Sequence, residues 1–115
     1  MPDEFAVKTS ILDKLEGLKA RHEEIAALLA EPEVIDDQGR FRELSQEYAQ
    51  LDEIVATFQR FLKAREDLDS AREMARDSDP DLRALAEDEV ATLGEELEAI
   101  ERELQTLLLP RDPHD

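Results

Sequence analysis

At 115 residues the chain is the size of one domain, and Ala, Leu, Glu, Lys and Arg fill 63 of its positions, a composition of long helices rather than of a turn-rich β-fold. It has no Cys, which excludes disulfides, thiol catalysis and Cys-ligated metal centres. Its formal charge of −17 excludes coating nucleic acid or an anionic membrane through a basic face.

The first element begins near Ser10, a good N-cap residue, and runs to about residue 30. Ile11, Leu15, Leu18, His22, Ile25 and Leu29 alternate steps of four and three, which is a heptad seam. Glu31-Pro32 ends it, because the residue before proline resists the α conformation. Residues 32–39 then read as a connection, with Asp36, Asp37 and Gly39 as turn or cap residues and Val34 and Ile35 packing back on the helix end.

The second helix spans about 38–76. Phe41, Leu44, Tyr48, Leu51, Val55, Phe58 and Leu62 continue the 3/4 pattern, and a second register follows at Ile54, Phe61, Leu68 and Ala75. Arg65 and Arg72 fall where the first register asks for apolar residues. The helix either turns its apolar face or is less covered in its distal half; on the second reading Leu68→Ala destabilises less than Leu51→Ala.

The third helix spans about 80–109. Asp79-Pro80-Asp81 supplies a cap, a proline at the first helical position and an acid in the first turn. Leu82, Ala86, Val90, Leu93, Leu97, Ile100, Leu104 and Leu107 form its seam, and Leu109-Pro110 stops it. Gly94 interrupts the interior and is expected to weaken the helix or to permit a close helix approach. Short connections make successive helices antiparallel. The predicted fold is all-α: an elongated antiparallel three-helix bundle whose second and third helices form a long coiled-coil-like hairpin.

No motif carries catalysis. There is no phosphate-cradling glycine loop and no pair of histidines at metal-binding spacing; His22 lies on a seam and His114 in the tail. The serines lack a paired base in sequence, and carboxylate pairs are expected by chance among 31 acids. Phe41, Tyr48, Phe58 and Phe61 read as core residues rather than as a base-stacking platform, despite Arg40, Arg42 and Arg60 beside them. No cofactor or metal is implied. Residues 77–103 carry eleven acids and two bases, more than half of the net charge. Asp77, Asp79, Asp81, Glu87, Asp88 and Glu89 crowd one end of the hairpin. One reading is a solvated helix face, with the dipole of the third helix accounting for Asp79 and Asp81. The sharper reading makes these six acids together a candidate docking surface for a basic partner.

The string from Arg40 to Leu51 (Arg-Phe-Arg-Glu-Leu-Ser-Gln-Glu-Tyr-Ala-Gln-Leu) resembles the second helix of the bacterial peptide chain release factor one family. Residues 15–24 are similar to the first helix of that family, and Leu107-Leu108-Leu109-Pro110-Arg111-Asp112-Pro113 resembles the boundary of its first domain. The resemblance covers essentially the whole chain. It implies an N-terminal helical domain over 1–109, with 110–115 beginning the linker to downstream domains. It also implies a cytoplasmic factor that directs termination at UAA and UAG on the ribosome. The family's codon-reading tripeptide and Gly-Gly-Gln loop lie outside this stretch, so no catalytic residue carries over and the domain serves as a docking module. The implied partners are the large-subunit stalk-base protein near the GTPase-associated centre and the termination GTPase, with no direct nucleic-acid contact and no membrane. The absence of an apolar signal region fits a cytoplasmic protein. Two other classes compete. A helical adaptor unrelated to translation would show itself by oligomerising through the heptads. An RNA-binding helical arm would need a basic stripe that the charge denies.

Overall fold

The computed structural model describes residues 9–109; Pro110, His114 and the linker expected over 110–115 lie outside that range. Among the described residues four helices follow one another: α1 (Thr9–Leu29), α2 (Pro32–Ile35), α3 (Gln38–Met74) and α4 (Pro80–Leu108). The fold class is all-α, as composition and periodicity predict. Among the described residues, 9–56 and 57–109 form two compact units, with α3 contributing to both.

In the first unit, α1 already includes Ser10 at the edge of the described residues. The helix closes with tight bonds from the amides of Ala30 and Glu31 to the carbonyls of Ala27 and Leu28. The expected connection after it is partly helical. Pro32 sits at the first position of α2, where its missing N–H costs nothing and its fixed φ suits a helix. Val34 of α2 is fully buried, whereas Ile35 is half-exposed and does not pack back as expected. Asp37 caps α3, its Oδ1 accepting from the Arg40 amide at 3.1 Å. The core of this unit is Ile25, Val34, Leu44 and Leu51, with Leu18, Leu28, Leu29 and Tyr48 packed against it. Phe41 departs from its expected core place and is 40% exposed: it stands in the first turn of α3, one turn before the buried cluster begins at Leu44.

Two cross-helix pairings flank that core. The His22 ring stacks on Tyr48 with centroids 4.3 Å apart and planes 18° from parallel. Its Nε2 lies 3.2 Å from Asp52 Oδ1. His22 is thus a boundary residue. Next to it Arg21 pairs with Glu47 of α3 and with Glu24 on its own helix.

In the second unit, residues 57–74 of α3 and α4 form an antiparallel hairpin. Arg60 pairs with Glu103 at 3.2 Å, while further along α3 Asp67 and Ala71 share a groove with Glu89, so the numbering falls on one helix as it rises on the other. Phe58, Phe61, Ala64, Leu68 and Ala71 of α3 are buried, as are Ala86, Leu97, Ile100 and Leu104 of α4. The buried set changes register near Phe58, which settles the two overlapping heptads as a change of apolar face. Leu68 is 4% exposed against 7% for Leu51, so at this position α3 is no less covered than in its first half. Arg65, out of place in the first register, lies over the Phe61 ring at 5.4 Å. Thr57 and Glu101 are buried polar side chains in this unit.

Candidate functional site

The hairpin turn is built by carboxylates. After Met74 the chain tightens through bonds from the amides of Arg76 and Asp77 to the carbonyls of Glu73 and Met74. Asp77 Oδ1 then accepts from the Asp79 amide at 2.8 Å, and Asp79 Oδ1 accepts from the Asp81 amide at 2.9 Å. Asp79 is the N-cap of α4, Pro80 follows it, and Asp81 lies in the first turn, beside the positive end of the helix dipole. Asp77 therefore has a local role that its sequence position does not reveal: it holds the turn that feeds the cap.

Glu87, Asp88 and Glu89 are exposed on α4. Successive helix residues are about 100° apart, so these three fan around the helix and do not converge. Glu89 faces α3 across a shallow groove lined by Asp67, Ser70, Ala71 and Met74. The Asp88 carbonyl accepts from the Thr92 hydroxyl at 3.1 Å. The six acids thus divide into Asp77 and Asp79, whose carboxylates accept the bonds that shape the turn, Asp81 in the first turn of α4, and Glu87, Asp88 and Glu89, exposed further along that helix.

Sequence reading missed the apolar component of this end. Met74 is 50% exposed, Leu82 40% and Leu85 66%. The seam predicts Leu82 to be buried; instead Ala86, one turn further on, is the first buried residue of α4. Leu85 lies off that seam in sequence, and this is the signal that could have found it. Asp81, Asp88 and Glu89 stand four residues before, three after and four after Leu85, so they border it on the same helix face. Leu82 and Leu85, three residues apart on α4, thus form a small exposed aliphatic patch with an acidic border. Among the described residues, no group of three or more His, Asp or Glu side chains is placed to hold a metal ion, and no helix is long and apolar enough to cross a membrane.

A family model described as the PCRF domain matches residues 18–115, from the middle of α1 through the hairpin. That domain is the non-catalytic part of peptide chain release factors, proteins that act in translation termination and engage the ribosome. The chain belongs to the PCRF domain family, and is a peptide chain release factor domain.

Proposed function

We propose that this chain is the N-terminal docking domain of a release factor of the type that directs termination at UAA and UAG in the cytoplasm. Its task is to bring the factor onto the large subunit beside the stalk-base protein of the GTPase-associated centre and to meet the termination GTPase there. The domain makes no direct contact with nucleic acid in this reading. The observation that carries it is the turn end of the hairpin, where Met74, Leu82 and Leu85 are exposed among Asp81, Glu87, Asp88 and Glu89. Exposed aliphatic side chains give a partner something to desolvate, and the acids around them select a basic one. Within residues 77–103 the net charge is −9, which repels RNA phosphate and favours fast encounter with a basic protein.

Reversing Glu87, Asp88 and Glu89 to Lys in the full-length factor tests the reading. The expected result is slower ribosome association with a weaker salt dependence and unchanged thermal stability. An unchanged association rate removes the docking role from these acids. The 115-residue chain alone should release no peptide from ribosomes programmed with a stop codon, and release by it would overturn the assignment of a non-catalytic domain.

A further inference from the structure

Gly94 lies in the interior of α4, and a Cβ added there would meet nothing within 4 Å. No close helix approach within the described chain requires a glycine at this position. The residue opens instead onto a half-open groove of about 300 Å3 between α3 and α4, separate from the patch at the turn. Leu68, Val90, Ala91 and Gly94 line it with mostly apolar surface. Glu95 and Glu98 line it from α4, and Arg72 lines it from α3. Arg72 Nη1 is 3.9 Å from Asp69, so the one cation of the groove already has an acid on its own helix.

The chemistry of the groove selects among occupants. It is open to solvent and at the small end of the range for sites that enclose a small molecule. A second copy of the chain would bring another −17 against acidic walls. Nucleic acid would bring phosphates against Glu95 and Glu98. A protein segment that offers an aliphatic side chain between basic ones meets every feature. From Val90 to Glu98 the groove runs about 12 Å along α4, a little over two helical turns, which suits an amphipathic helix laid in a groove.

We infer that the groove beside Gly94 is a docking site for a basic amphipathic helix of a partner protein. The helix seats an aliphatic side chain against Leu68, Val90 and Ala91 and sets Lys or Arg beside Glu95 and Glu98. Gly94 keeps the groove open, and Arg72 on the opposite wall fixes the side on which the partner's cations lie. This inference does not depend on the release-factor reading, since it concerns a different stretch of the hairpin and names no ribosomal component.

The test is a titration of the isotope-labelled 115-residue chain with a synthetic Leu/Lys amphipathic helical peptide, followed by amide chemical shifts. Saturable shifts are expected at Leu68, Val90, Ala91 and Gly94. Gly94→Leu, whose Cβ would meet nothing within 4 Å, should weaken affinity about tenfold while the far-ultraviolet helix signal is retained. Glu95→Lys combined with Glu98→Lys should weaken it by a similar factor, and a Leu/Glu peptide should not bind. The inference is overturned if the shifts spread over every acidic face or if Gly94→Leu binds as the parent does. Equal binding of the Leu/Glu peptide, or self-association that perturbs the same amides without peptide, overturns it as well.

Discussion

Arg21 of α1 holds Glu47 of α3 in a two-pronged ion pair: Nε donates to Oε2 at 2.8 Å and Nη2 donates to Oε1 at 2.9 Å. The third guanidinium nitrogen donates to Glu24. A planar fork matched to a carboxylate is the geometry that lysine cannot reproduce. The hydrogen bonds from Arg21 hold the Glu47 carboxyl below its ordinary range, against the opposing effect of its partial desolvation, and the same pair raises Arg21.

A carboxyl whose value is lower in the folded than in the unfolded chain binds fewer protons when folded. Its contribution is therefore fully present above the unfolded value of about 4.3 and is lost as pH falls through the folded one. Glu47→Gln should lower thermal stability at pH 7, and the gap between variant and parent should close on acidification below about pH 4. Melting curves across that range check it; a gap that persists at low pH would mean that packing, not charge, sets the effect.

The His22–Tyr48 stack joins α1 to α3 beside the core. A double-mutant cycle with His22→Ala and Tyr48→Ala should give a coupling energy of about 0.5–1.5 kcal/mol, the usual range for aromatic pairs. Additive losses would show that the two rings touch without cooperating.

Leu51→Ala, Leu68→Ala and Leu97→Ala should each destabilise by about 2–5 kcal/mol, since all three side chains are buried. The residues belong to different units, so denaturation is best followed by a probe of total helix content. A Leu68→Ala loss far below that of Leu51→Ala would revive the thinner distal hairpin that periodicity alone allowed.

Asp79→Ala removes the acceptor of the Asp81 amide and should cost about 1 kcal/mol, whereas Asp79→Asn keeps a capping oxygen and should cost only a fraction of that. Chemical denaturation of the three proteins decides it. Equal losses would assign the effect to charge rather than to the cap.

Local signals in the sequence were read well where one element contains its own cause. The Asp79-Pro80-Asp81 start, the stop at Glu31-Pro32 and the seam positions Ala86, Leu97, Ile100 and Leu104 of α4 need no distant partner. Pairings across 26 or 30 residues, such as Arg21 with Glu47 and His22 with Asp52, leave no trace in periodicity, because either helix face could have turned toward its neighbour. The errors cluster at element ends. Phe41, Ile35 and Leu82 carry apolar side chains where the helices begin or stop, and a seam counted by steps of three and four does not say where its cover runs out. For the same reason the candidate site was half legible: its acids stood out by count, and its exposed leucine and methionine did not.

The chain has no tryptophan, and Tyr48 is its sole tyrosine. Excited in the tyrosine band, where phenylalanine does not absorb, its emission therefore comes from one address, the ring stacked on His22 in the unit formed by residues 9–56. Far-ultraviolet dichroism, by contrast, samples helices of both units. Heating one sample while recording both signals gives two separately placed thermometers without a label. Coincident traces would mean that α3 melts as a single piece, and separated traces would mean that one half lets go while the other remains wound.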